Sequence, residues 1–89
     1  MYRINAGSTA TLTAQTSPGN GAVNWKIASK SSNLPNGGSF SSNGSSVTNW
    51  TAPSNPSTSE EGVDIRGDIS EYPNTWKYCP TITFAVKPG

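Results

Sequence analysis

Period-two alternation constrains this chain more than any other feature. In Gly7-Ser8-Thr9-Ala10-Thr11-Leu12-Thr13-Ala14 small or apolar residues alternate with threonines, and Val23-Asn24-Trp25-Lys26-Ile27 repeats the pattern. Val63, Ile65, Gly67 and Ile69 alternate with Asp64, Arg66 and Asp68, and Ile82, Phe84 and Val86 close the chain in the same rhythm. Successive side chains of a strand point to opposite faces, so these segments bury one face and wet the other only when extended. Clusters of Gly, Asn, Ser and Pro separate them. Short alternating strands at this spacing predict an all-β, two-sheet sandwich of about seven antiparallel strands, with a partly open barrel as second choice.

The strands are expected at Tyr2-Ile4, Ser8-Thr16, Ala22-Ala28, around Phe40, Ser46-Ala52, Gly62-Ile69 and Thr81-Lys87. Ser17-Pro18-Gly19-Asn20-Gly21 reads as a turn, because proline presets φ and Gly or Asn accept positive φ. Residues 29–38 read as loop, anchored by Leu34-Pro35. Val47 and Trp50 cannot share a face of one regular strand, so the phase of Ser46-Ala52 is open. Pro53 and Pro56 end that strand, since proline cannot donate to a ladder. Gly67 marks a bulge or a close approach, and residues 70–80 read as irregular and aromatic-rich. No helix and no internal repeat is expected.

Eighty-nine residues make a single domain, residues 1–89, with one core. A chain this short buries roughly 60–65% of its unfolded surface. Only 31% of residues are apolar, so the core must use nearly all of them. Fourteen serines, ten threonines and nine asparagines suit exposed sheet faces and long loops. Net charge is +1 and the six Lys and Arg are scattered from Arg3 to Lys87, which argues against a nucleic-acid partner. All five acidic residues fall between Glu60 and Glu71. Cys79 is the sole cysteine, so no internal disulfide forms. No apolar stretch approaches the roughly 20 residues that a helical membrane span requires. Met1 directly before a strand and Pro88-Gly89 after one suggest a module excised from a longer protein.

Gly7 to Ala14, Val23 to Ile27, Trp50-Thr51-Ala52-Pro53, Val63 to Ile65 and Thr81 to Val86, in that order, resemble bacterial immunoglobulin-like domains. The resemblance spans nearly the whole chain and rests on structural motifs. It implies an immunoglobulin-like sandwich, used as a tandem module in bacterial surface proteins, secreted enzymes or phage virions. Such modules act as spacers, and some bind cells or glycans. The family carries no catalytic residues.

Three sets of residues are candidates for chemistry. Trp25 is expected to fill the sandwich centre, with its indole N–H partnered, and Trp50 to be a core or rim aromatic. In Tyr72-Pro73-Asn74-Thr75-Trp76-Lys77-Tyr78 the rings of Tyr72, Trp76 and Tyr78 could stack on sugar rings while Asn74 and Lys77 meet hydroxyls. The competing reading, which the poor apolar content favours, is that these aromatics plug the sandwich end and cover a strand edge. Glu60 and Glu61, expected in the loop before the Gly62 strand, are the first candidates for a calcium site. Calcium takes six to eight oxygens, and no known ligand spacing is present, so a solvated, charge-alternating face over Asp64, Arg66 and Asp68 is favoured instead.

Catalysis has little to build on. With no histidine, the commonest general base and the Ser-His and Cys-His pairs are absent. Cys79 has only Lys77 nearby in sequence to lower its pKa and reads as an incidental thiol. The expectation is a non-enzymatic spacer without cofactor, extracellular, at the cell surface or in a virion. Its partners are neighbouring domains of the same chain, with a polysaccharide or cell-surface receptor as further candidates and no membrane insertion. The alternative is a carbohydrate-binding module using the Tyr72–Tyr78 segment.

Overall fold

A computed structural model of the chain describes residues 2–14, 23–71, 75–78 and 81–89, with side chains for all of these except 69–71 and 75–78. Every regular element among the described residues is a strand. They are β1 (Tyr2–Asn5), β2 (Thr9–Thr13), β3 (Val23–Lys30), β4 (Ser39–Phe40), β5 (Val47–Thr51), β6 (Glu61–Glu71), β7 (Thr75–Tyr78) and β8 (Ile82–Lys87). One sheet runs β1-β8-β6-β3, with β7 also on β6, and the other runs β2-β5-β4.

The two sheets share one core. Leu12, Trp50 and Ala52 come from the β2-β5 side, and Val23, Trp25, Val63, Ile65, Phe84 and Val86 from the larger sheet. Trp50 meets Phe84 with ring centroids 4.8 Å apart, and Trp25 meets Phe40 at 6.5 Å. Trp25 is buried as expected, its Nε1 donating to the Ser45 carbonyl at 2.9 Å. Leu34 is the buried anchor of its loop. At Gly67 the close approach holds: a Cβ there would lie 3.1 Å from Val23 and 3.3 Å from Trp25.

Several expectations are corrected. The described residues form eight strands, close to the seven or so expected, but β1 pairs β8 in parallel rather than antiparallel, with Tyr2 opposite Phe84 and Asn5 opposite Lys87. The β3 strand runs on to Lys30 through a register shift between Ile27 and Ser29. Residues 70–80, read as irregular, contain the end of β6 and all of β7. Thr75-Trp76-Lys77-Tyr78 has strand-favouring composition, and the upper half of β6 offers it a free ladder. Both β7 and β8 lie along one edge of β6, with Asp68 facing Tyr78 and Ile65 facing Ile82.

The phase of β5 is settled without a bulge. Trp50 is fully buried beside Thr48 and Ala52, while Val47 is 45% exposed. Burying Thr48 is affordable because its hydroxyl donates to the Ser42 carbonyl at 2.8 Å.

The molecule is long and narrow, 46 × 19 × 19 Å. Its spine is β6, whose eleven residues span about 37 Å.

Candidate functional site

The aromatic candidate maps onto the β6–β7 hairpin. Tyr72 and Asn74 lie outside the described residues. The backbone of Trp76, Lys77 and Tyr78 is extended in β7, in register with Ser70, Ile69 and Asp68. Cys79 also lies outside the described residues.

Beside this hairpin sits the first charged cluster. Asp68, read as part of a solvated face, is instead buried. It belongs to a central strand, so neighbours on β3 and β6 reach over it. Arg66 Nε lies 2.9 Å from its Oδ1, a charge–charge contact rather than an aligned hydrogen bond, and Lys26 Nζ lies 3.3 Å from Oδ2. Arg66 Nη2 also donates to Oδ2 at 3.4 Å. Both cations remain partly exposed, which lowers the penalty of holding the carboxylate away from water. Asp64, half-buried, accepts from Ser29 Oγ at 2.7 Å and Thr83 Oγ1 at 2.8 Å.

At the opposite end of β6, Glu60 and Glu61 take different partners. The exposed Glu60 carboxylate pairs with Arg3 at 3.3 Å. Glu61, expected in the preceding loop, is instead the first residue of β6 and is buried. Its Oε1 accepts from Ser31 Oγ at 2.6 Å and Asn33 Nδ2 at 3.1 Å, and its Oε2 accepts from Ser59 Oγ at 2.8 Å. Ser57 Oγ lies 3.0 Å from Oε2 and shares its one proton among that oxygen, Asn55 Oδ1 and the Ser59 carbonyl. Asn55, also buried, donates to the Ser59 and Val86 carbonyls. Glu61 thereby ties the loop after β3 and the loop before β6 to one point. Among the described residues no three His, Cys, Asp or Glu come together in a way that could hold a metal ion.

Sequence reading missed this shell, although part of it was visible. Ser57, Ser59 and Glu61 are spaced by two, as are Ser31 and Asn33, which puts each set on one side of an extended chain. Nothing local says that the two sets converge.

The Ser31 hydrogen bond, followed by those of Ser59, Asn33 and Ser57, holds the Glu61 carboxyl down to about 2 from its ordinary 4.5, against the opposing pull of burial. Between these values the unfolded chain binds a proton that the folded protein does not. The stability that Glu61 supplies is therefore complete above 4.5 and is lost as pH falls through about 2. Urea midpoints measured from pH 7 downward should fall across that window, and Glu61→Gln should flatten the fall. Equal acid dependence in both proteins would assign the effect to another carboxylate.

Two hollows are lined by described residues. One, of about 420 Å³, is lined by Ala6, Gly7, Ser54, Asn55, Pro56 and Gly89 and contains no charged side chain. The other, of about 330 Å³, is a groove between Tyr2 of β1, Ile82 and Phe84 of β8, and residues 10–13 of β2. Neither brings together a nucleophile and a base. No family model, curated protein or solved structure matches the chain.

Proposed function

We propose that this chain is a non-catalytic, immunoglobulin-like spacer module of a larger extracellular, cell-surface or virion protein. The observation that carries this reading is the parallel pairing of the first strand with the last. Chain entering at β1 and leaving at β8 runs in one direction, so modules of this kind join head to tail in a line. Opposed tension at Tyr2 and Lys87 loads the β1–β8 ladder in shear, across all its hydrogen bonds together rather than one at a time.

Strand order supports the immunoglobulin-like assignment. The β2-β5-β4 sheet and the β3-β6-β8 set match the B-E-D and C-F-G orders of that sandwich, and the buried Trp25 stands on the third strand. In this reading β7 is an outward extension of the last hairpin, and β1 lies against β8 instead of β2.

A second reading, glycan binding by Tyr72, Asn74, Trp76, Lys77 and Tyr78, is favoured by one observation. The β7 backbone is extended, which sets Trp76 and Tyr78 two positions apart along one strand.

Force spectroscopy on a polyprotein of repeated domains, pulled through their termini, tests the spacer. Discrete unfolding events, each releasing roughly 280 Å of chain, are expected. Extension without events would overturn the mechanical role. Titration of the same protein with soluble polysaccharides provides the second arm. A flat tryptophan signal keeps the spacer reading, whereas a saturable shift lost in Trp76→Ala puts the glycan reading in its place.

A further inference from the structure

The two sheets differ in width, and the mismatch exposes one strand. Phe40 of β4 sits against Trp25 of β3, and Trp50 of β5 against Phe84 of β8, so β2 lies towards β1. On the inner side of β1, Ile4 packs against the core but the start of the strand lies open. Tyr2 is 65% exposed there, with its ring 5.7 Å from that of Phe84. The groove of about 330 Å³ opens at this seam, with Tyr2, Ala10, Leu12, Ile82 and Phe84 as its apolar walls.

Beside the groove runs a strand edge with which no described strand pairs. Ala14 N–H donates to the Ser46 carbonyl and Ala52 N–H to the Ser8 carbonyl. In an antiparallel ladder, hydrogen-bonded positions alternate, so Ser8, Ala10, Leu12 and Ala14 face β5. The N–H and C=O groups of Thr9, Thr11 and Thr13 therefore point away from it. Among the described residues these six groups have no partner.

Three other edges are protected. Along β3, the Asn43 side chain accepts from Trp25 N–H at 2.7 Å and donates to the Trp25 carbonyl at 3.2 Å, while Gly44 N–H donates to the Val23 carbonyl. The β4 strand has two residues, and β1 carries Arg3 in its pair with Glu60. The β2 strand, Thr-Ala-Thr-Leu-Thr, has no charge, proline or bulge, the devices that normally keep an edge from pairing.

We infer that the β2 edge takes up an extended strand from another polypeptide, uncharged and apolar at alternate positions. Its backbone completes the ladder at Thr9, Thr11 and Thr13, and every second side chain enters the groove and covers Tyr2. The charge complement is a neutral segment, because the groove walls hold no ion to pair with a buried Lys or Asp. A second copy fits less well. The inward Ala10 and Leu12 of that copy already face its own core.

The probe is an acetylated and amidated peptide, Ser-Val-Thr-Val-Thr-Val-Ser, and the readout is amide hydrogen exchange across the domain. At about 90% saturation the Thr9, Thr11 and Thr13 amides should slow about tenfold, while the Ala10 and Leu12 amides change little. Replacing the peptide's valines with lysines should abolish the effect. N-methylation of one alternate set of peptide amides should abolish it too, and methylation of the other set should preserve it. Absence of protection at millimolar peptide would overturn the inference, as would equal loss from both methylated sets. Protection without peptide that grows with domain concentration would replace the peptide with a second copy.

Discussion

Trp50→Ala is expected to destabilise the domain by about 3–5 kcal/mol, the usual cost of deleting a fully buried large aromatic. Trp50 has no exposed surface, packs on Phe84 across the sheets, and donates from Nε1 to the Gly37 carbonyl at 2.9 Å. Truncation leaves a cavity in a core built from few apolar residues and strips a buried carbonyl of its donor. A domain of this size commands roughly 5–13 kcal/mol in total, so the loss takes a large share of it. Urea unfolding at 25 °C followed by far-ultraviolet circular dichroism measures the loss. A drop below about 1 kcal/mol would mean that the loops around Gly37 collapse into the space and that the site is not a rigid core.

Gly38→Ala is the second large expected effect, and it separates two causes. Gly38 has φ of 87°, a left-handed conformation that strains any side-chain-bearing residue by roughly 1–2 kcal/mol. A Cβ there would also collide with the Thr51 carbonyl oxygen and lie 2.6 Å from Trp50 Nε1. Neither neighbour can yield, since one is strand backbone and the other is held by Gly37. The expected loss is about 3 kcal/mol or more. Gly44→Ala is the control: φ is 86°, but a Cβ there meets nothing within 4 Å. It should cost about 1 kcal/mol, the conformational part alone. Equal losses at the two sites, measured by urea unfolding, would show that Trp50 and Thr51 shift easily and that the packing around the indole is soft.

How far the chain could be read depended on the distance over which each feature is set. Alternation placed Leu12, Val23, Trp25, Val63, Ile65, Phe84 and Val86 on the inner face, and all are buried. It failed on β5, where Val47 looked as suitable for burial as Trp50. The deciding partner of Thr48 is the Ser42 carbonyl, across a turn. It failed on Asp68, because a central strand has neighbours on both sides and alternation knows nothing of strand order.

The chain's own pattern determined that it is all-β, that one face of each main strand is apolar, and that no disulfide or histidine-based chemistry is available. These follow from side chains one or two positions apart, where strand geometry alone dictates direction. Tertiary structure decided the parallel pairing of β1 with β8, the meeting of Ser31 and Asn33 with Glu61 nearly thirty residues on, and the β2 edge, unpaired among the described residues, beside its groove. Each depends on which strands become neighbours, and that is settled by burying the whole core at once rather than by any local run of residues.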